Sequence, residues 1–153
     1  MSDEAMHHDV FTVERTYRAA PERVFDAWAD PVKKRRWFAE GEGWNIDSYD
    51  LDFREGGFER TRFRFGDGPP MTNDTVFHDI VANRRIVCSY DMTRSGQRFS
   101  VSLATLVLER AGSGTRARYT EQIVLFGQGR DAVEQRRLGC AELLGRLAAA
   151  LGE

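Results

Sequence analysis

The sequence predicts an α+β fold in which a curved antiparallel sheet packs against one long C-terminal helix. Three observations lead to this prediction. Residues 131–151 carry apolar side chains at steps of seven, four, three and four residues, which is typical of an apolar stripe on a charged helix. From 44 to 126 the chain consists of short alternating segments separated by turn residues. Helices do not alternate with strands, which argues against a parallel α/β arrangement.

The bulk composition indicates a single globular domain. The chain has 153 residues, of which 41% are hydrophobic and 30% are charged. Its formal charge of −2 creates no global field that would select nucleic acid or an anionic membrane. No apolar run approaches the roughly 18 residues of a membrane span. We expect residues 1–8 to be a disordered tail and residues 9–153 to form one domain.

The first third of the chain predicts one strand followed by two short helices. Residues 10–18 alternate between apolar and polar side chains. Pro21 is suited to the first position of a helix, where its missing N–H is not needed. Asp30 can cap a second short helix that begins at Pro31 and ends near Trp37.

The middle of the chain predicts a β-meander. Its turns carry glycine, asparagine, serine and proline, which favour tight reversals. Successive strands joined by short turns pair antiparallel, so these six strands are expected to form an antiparallel sheet. The predicted meander strands lie near 44–52, 57–65, 73–82, 85–93, 98–110 and 115–126.

A basic run occupies residues 33–36 of the second short helix. Such a run can bind nucleic acid or a protein partner, but four charges on one short helix usually form a solvated face. We therefore interpret this run as solvated, and expect no nucleic-acid partner.

Polar residues on the predicted inner face of the last strand favour a chamber over a solid core. Tyr119 and Glu121 share one side of that strand with Ile123. A dry core accepts such groups only when they are paired, whereas a wet cavity uses them to orient a ligand. An ion pair between Arg62 and Glu121 across the sheet is the structural alternative.

Aromatic side chains and one face of the last helix are the candidate lining of this chamber. Val133 and Leu151 are expected to seal its two ends, and Gly139 either leaves room for a ligand or marks a kink. The candidate ligand-binding residues, besides Tyr119 and Glu121, are Trp28, Trp37, Phe38, Trp44, Tyr49, Phe58, Phe63, Tyr90, Cys140, Leu143, Leu144 and Leu147.

No motif predicts a particular catalytic reaction. The sequence has no nucleophile elbow, phosphate-binding loop or metal-ligand spacing, so we expect neither a cofactor nor a metal. His78 lies in a predicted strand, where it is either a general base or an ordinary strand histidine, and the second interpretation is favoured. Cys88 and Cys140 have no metal or redox spacing, which is typical of a reducing cytoplasm.

Several stretches together are similar to one known family, the activator of heat-shock-protein-90 ATPase homologue family of the START-like (SRPBCC, Bet v allergen-like) superfamily. The resemblance covers about residues 10–151. The family more often has tryptophan at the position of Cys140, and a proline at Ala82 or Asn83. The stretches that carry the resemblance are Ala20–Pro31, Trp37–Phe38, Phe53–Gly57, Val81–Val87, Gly114–Arg116 and Gly139–Leu144.

The resemblance implies a helix-grip fold, in which a curved seven-stranded antiparallel sheet surrounds the long C-terminal helix and two small helices close one end. A chamber then lies between sheet and helix. Members of the superfamily bind lipids, sterols, polyketides or plant hormones there, and a few are cyclases. We therefore expect a small hydrophobic ligand that is lipid-like, aromatic or polyketide-like. The alternatives are a cofactor-independent cyclase or hydrolase that uses the same chamber, and a chaperone-associated interaction module. A homodimer through the sheet edges is compatible with the sequence.

Overall fold

The computed structural model describes residues 5–153 and confirms the predicted α+β, helix-grip architecture. The strands form one seven-stranded antiparallel sheet in the order β1-β7-β6-β5-β4-β3-β2. The long helix α3 packs against β1 and β7, and α2 packs against α3. In chain order the elements are β1 (Met6–Tyr17), α1 (Pro21–Ala29), α2 (Pro31–Phe38), β2 (Trp44–Asp52), β3 (Phe58–Phe65), β4 (Met71–Val81), β5 (Arg85–Arg94), β6 (Gln97–Ala111), β7 (Gly114–Phe126) and α3 (Arg130–Ala150).

The two short helices begin where the prolines predict. Pro21 is the first residue of α1, and Pro31 is the first residue of α2. The Oδ1 atom of Asp30 accepts hydrogen bonds from the backbone N–H of Val32 at 2.9 Å and of Lys33 at 3.1 Å. This capping satisfies two donors that the first turn of a helix leaves without an intrahelical partner.

The first strand begins earlier than the sequence predicts. Met6, His7 and His8 pair with Phe126, Leu125 and Val124 of β7. The expected disorder of residues 1–8 is therefore wrong for residues 6–8, because β7 extends far enough to offer them backbone partners. Residues 1–4 of that predicted tail lie outside the described part of the chain.

Irregular registers bend the sheet around the helix. They occur in β2 between Ile46 and Ser48, in β4 between Phe77 and Asp79, and in β6 at Phe99, opposite Met92 and Thr93 of β5. A bulge of this kind adds a residue to one strand and increases its local bend and twist. The strands of the meander therefore curve toward α3.

The turn between β4 and β5 depends on Asn83. Its φ is +65°, in the left-handed region that asparagine tolerates better than most residues. Proline has φ fixed near −65°, so it cannot occupy position 83 in this turn.

The inner face of β6 carries small and polar side chains. Ser100, Ser102 and Ala104 point inward and are buried, while Val101 and Leu103 are exposed on the outer face.

Two apolar clusters fill the two ends of the space between sheet and helix. One cluster contains Val24, Leu106 and Leu147 among others, and the other contains Phe11, Ile123 and Val133.

A buried hydrogen bond joins β1 to α3. The hydroxyl of Tyr17, a residue only 1% exposed, donates to the carbonyl of Leu144 at 2.9 Å. We expect Tyr17→Phe to lower the free energy of unfolding by about 0.5–1.5 kcal/mol, since the ring packing is kept and one hydrogen bond is lost. Urea unfolding followed by circular dichroism measures this change, and an unaltered midpoint would contradict it.

Candidate functional site

A chamber of about 430 Å³ lies between the inner face of the sheet and α3. Trp28, Trp37 and Phe38 of the two short helices line it, together with inward-facing residues of β2 to β7. Its apolar walls are built from aromatic pairs in edge-to-face contact. Ring centroids are 4.8 Å apart for Trp28 and Trp37, and 5.1 Å apart for Trp44 and Phe63. These contacts restrict the rings that form the wall.

Glu121 anchors a hydrogen-bond network behind one wall of the chamber. Its side chain is fully buried, with 0% exposure. The Oε2 atom accepts hydrogen bonds from the Tyr90 hydroxyl and the Ser102 hydroxyl, each at 2.7 Å. The Oε1 atom accepts one from the Tyr119 hydroxyl at 2.7 Å. Three hydroxyl donors therefore converge on one buried carboxylate, which satisfies the requirement that a buried charge be hydrogen-bonded.

Arg136 of α3 supplies the opposite charge. Its Nη1 atom donates to the Tyr90 hydroxyl at 2.9 Å and lies 3.4 Å from Oε2 of Glu121. Its Nη2 atom donates to the Ser100 hydroxyl at 2.9 Å. The Tyr90 hydroxyl thus receives one hydrogen bond from a cation and gives one to an anion. This arrangement fixes the Tyr90 ring at the chamber wall.

Burial keeps the weak acids around this network protonated at neutral pH. Desolvation, with the negative charge of Glu121 as a further cause, raises the pKa of both Tyr90 and Tyr119 well above its usual range. Desolvation also raises the pKa of the Cys140 thiol, again with a contribution from Glu121. The pKa of Cys88 is raised to about 12 by burial. These cysteines therefore face the chamber as thiols rather than thiolate nucleophiles.

A second buried ion pair lies below the short helices. The ammonium of Lys34 donates to both carboxylate oxygens of Glu59, at 3.0 and 3.1 Å. Tyr49 donates a further hydrogen bond to Glu59. Side-chain exposures of 3% for Lys34 and 4% for Glu59 make this a pair without solvent screening.

Aromatic rings surround the Lys34 ammonium. Its Nζ atom lies 4.3 Å from the ring centroid of Phe38, 4.7 Å from that of Trp28 and 5.3 Å from that of Trp37. Ring faces attract a cation at these distances. The predicted solvated face for residues 33–36 is therefore wrong for Lys34, which points inward, while Lys33 and Arg35 form exposed ion pairs with Asp26 and Glu40.

Most of the aromatic and helical residues that the sequence singled out meet at the chamber. Three members of the two buried ion pairs, Lys34, Glu59 and Arg136, also line the chamber, whereas Glu121 does not. The sequence-predicted residues that line the chamber are Trp28, Trp37, Phe38, Trp44, Phe63, Tyr90, Tyr119, Cys140, Leu143 and Leu144.

Four predicted residues lie elsewhere. Glu121 and Tyr49 stand behind the lining and hold it through hydrogen bonds. Phe58 packs under the guanidinium of Arg60, 3.9 Å from its ring centroid. Leu147 is fully buried in the apolar cluster with Val24, because α1 closes that end of α3 and leaves no free space there.

The geometry decides two alternatives that the sequence left open, and for His78 it agrees with the favoured interpretation as an ordinary strand histidine. The ion pair between Arg62 and Glu121 does not form, since Arg62 points outward and donates to Asp74 at 2.6 Å. His78 is the extra residue of the β4 bulge and is exposed, with a hydrogen bond of 2.7 Å between its Nε2 and the Ser89 hydroxyl. It therefore points away from the chamber.

The sequence analysis missed Lys34, Glu59 and Arg136 as members of the site. A signal was present for Lys34, which shares a helical face with Trp37 and Phe38 at steps of three and four residues. Glu59 alternates with Thr61 and Phe63, both of which are buried on the inner face of β3. Nothing in the local pattern distinguishes Arg136 from Arg137, which pairs with Glu134 at the surface.

Residues 5–153 contain no cluster of three or more histidine, cysteine or acidic side chains that could hold a metal ion. Among the helices of this same part of the chain, none is both long enough and apolar enough to cross a membrane.

Two solved structures share both the fold and a substantial part of the sequence. The Mll3558 protein from Rhizobium loti is 44% identical, with a TM-score of 0.87 over 95% of this chain and 99% of that one. An uncharacterized protein from Rhizobium leguminosarum is 36% identical, with a TM-score of 0.93 over 99% of each chain. CalU16 from Micromonospora echinospora shares the fold at 19% identity, with a TM-score of 0.64 over 97% of this chain and 84% of its own.

No curated protein matches the sequence. The sequence profile of the activator of Hsp90 ATPase homolog 1-like proteins matches residues 18–152, which include both short helices, the meander and α3. The chain therefore belongs to the activator of Hsp90 ATPase homolog 1-like family.

Proposed function

We propose that this protein binds a small, mostly apolar molecule in the chamber between the sheet and α3. The chamber carries the proposal, because its volume of about 430 Å³ falls within the range of roughly 300–1,000 Å³ that is common for small-molecule sites. Aromatic side chains supply apolar contact area, while two buried ion pairs hold hydroxyl and amine groups in place at the walls. A lipid-like, aromatic or polyketide-like compound fits this combination.

Gly139 supports the proposal because it leaves space at the chamber surface of α3. A glycine inside a helix costs about 0.8–1.0 kcal/mol relative to alanine. A Cβ atom at this position would meet nothing within 4 Å, so close packing does not require glycine here. The space above Gly139 is open to the chamber that this residue lines.

Binding is favoured over catalysis as the role of this chamber. Burial raises the pKa of the Tyr90 and Tyr119 hydroxyls and of the Cys140 thiol, which argues against a base or a nucleophile among these three groups near neutral pH. The inward orientation of Lys34 likewise removes one charge from the surface that a chaperone partner would use. The free Cys88 and Cys140 support a reducing, cytoplasmic setting as part of this proposal.

Filling the chamber tests the proposed function. Isothermal titration of the purified protein with naphthalene, 2-naphthol and dodecanoate, together with native mass spectrometry for a co-purified compound, identifies a class of ligand. We expect Gly139→Leu to weaken binding of whichever probe binds by about tenfold or more, which corresponds to ~1.4 kcal/mol. The same variant should unfold at the wild-type temperature or higher, because leucine is the better helix former.

Gly145→Ala is the matched control, since this glycine also lies in α3 but outside the chamber lining. A Cβ atom there meets Arg15 at an ordinary contact distance of 3.5 Å. It should raise thermal stability and leave the affinity unchanged. Equal affinities of Gly139→Leu and the wild type would refute binding in the chamber.

A further inference from the structure

Three polar atoms of the chamber wall have no hydrogen-bond partner within the described part of the protein. They are Nε1 of Trp28, Oγ1 of Thr61 and Oδ1 of Asn73, and each is shielded from solvent. All three residues line the chamber. Buried polar groups are almost always hydrogen-bonded, so three unpaired groups on one cavity call for a partner that enters the cavity.

The strand register places two of these groups side by side. Thr61 of β3 lies directly opposite Asn73 of β4, and both face the chamber. Side chains that are directly opposite in an antiparallel pair have Cβ atoms about 4.5–5.5 Å apart, so the two polar groups are close enough to serve one ligand group. Thr61 is only 3% exposed, which keeps its hydroxyl out of bulk water.

The charges around this pair favour a neutral ligand group. Glu59 lies two residues before Thr61 on the same face of β3, and its carboxylate is already neutralised by Lys34. A ligand carboxylate at Thr61 would therefore stand beside another carboxylate whose own cation, Lys34, is already engaged. A neutral hydroxyl or carbonyl group is not repelled by the Glu59 carboxylate. It can still bond this pair, because threonine and asparagine side chains both donate and accept hydrogen bonds.

We infer that Thr61 and Asn73, with Trp28 as an additional donor, form a polar subsite that selects a ligand bearing an uncharged hydroxyl or carbonyl group on an apolar ring system. This inference rests on the proposed function and specifies the class of compound that the chamber takes. The Trp28 indole N–H is a further unpaired donor on the wall of the same chamber.

Matched probes test the subsite directly. Naphthalene, uncharged 2-naphthol and anionic 2-naphthoate share one ring system and differ only in the polar group. In isothermal titration at neutral pH, we expect 2-naphthol to bind the wild type about tenfold more tightly than naphthalene, a typical gain for one satisfied hydrogen bond. We expect 2-naphthoate to bind more weakly than 2-naphthol.

Substitutions on the two strands locate the effect. Thr61→Val with Asn73→Leu removes the polar atoms, and should reduce the preference for 2-naphthol over naphthalene to about onefold, while naphthalene still binds. Thr72→Val is the control, because this neighbouring threonine lies outside the lining and bonds the Thr93 hydroxyl. It should retain the full preference.

The possible outcomes separate this inference from the proposed function. If naphthalene and 2-naphthol bind the wild type equally, or if 2-naphthoate binds best, the neutral polar subsite is refuted while binding in the chamber stands. If none of the three compounds binds while dodecanoate does, the inference is overturned and binding in the chamber stands; if dodecanoate also fails to bind and no compound co-purifies, both are overturned. Thr61→Val alone should leave the unfolding temperature unchanged or higher, and a clear loss would show that its hydroxyl already has a partner in the protein.

Discussion

Replacing Lys34 by methionine is expected to lower the free energy of unfolding by about 3–5 kcal/mol, because it leaves the Glu59 carboxylate buried without its cation. Both charged groups are almost completely excluded from solvent, and both carboxylate oxygens accept hydrogen bonds from the ammonium. The contacts of Lys34 with three aromatic rings are lost as well. Urea unfolding followed by tryptophan fluorescence and circular dichroism measures the change.

The double variant Lys34→Met with Glu59→Leu distinguishes an uncompensated charge from lost packing. Removing both charges should restore much of the stability, since apolar residues of similar volume often replace a buried pair at little cost. Lys33→Met is the surface control, because Lys33 pairs with Asp26 in an exposed position and should change stability little. A double variant as unstable as the sum of the two single variants would contradict the ion-pair explanation.

Replacing Glu121 by leucine is expected to cost about 3–5 kcal/mol for the corresponding reason at the other end of the chamber. Arg136 would lose its counter-ion, and the hydroxyls of Tyr90 and Tyr119 would lose their acceptor. Each hydroxyl left buried without a partner adds to the penalty. The loss should therefore appear both in chemical denaturation and in the unfolding temperature.

Two variants test this explanation. Arg136→Met combined with Glu121→Leu should be more stable than Glu121→Leu alone, because the unpaired cation is removed. Glu134→Leu, which disrupts only the exposed pair with Arg137 one turn away, should leave the unfolding midpoint unchanged. If Arg136→Met did not improve the stability of Glu121→Leu, the charge of Arg136 would not be the source of the loss.

The two buried ion pairs have a common role in the proposed function. Each joins a strand to a helix across the space that the chamber occupies, with Lys34 of α2 bound to β3 and Arg136 of α3 bound to β7. Each ion pair fixes the position of its helix on the sheet, and its charged groups satisfy one another. Thr61 and Asn73 on the sheet side of the chamber take no part in either ion pair, and their polar atoms stay without a partner in the described part of the protein.

Local patterns in the sequence determined the elements and the antiparallel pairing of successive meander strands. Pro21 and Asp30 mark the starts of the short helices, and the alternation of Tyr119, Glu121 and Ile123 identifies the inner face of β7 correctly. These features follow from a period of two in strands, a period near 3.6 in helices and the fixed φ of proline, each of which depends only on residues close in the chain. The start of β1 was misjudged because its pairing with Phe126 is not local.

Only the tertiary structure decided which charged side chains are buried and which polar groups stay unpaired. Lys34 and Lys33 are neighbours in the same basic run, yet only Lys34 meets Glu59, which is 25 residues away in sequence. Arg136 and Arg137 differ in the same way, since only Arg136 reaches Glu121. Burial of a charge is stable only when a distant partner completes its hydrogen bonds, and that partner is fixed by the packing of helices on the sheet.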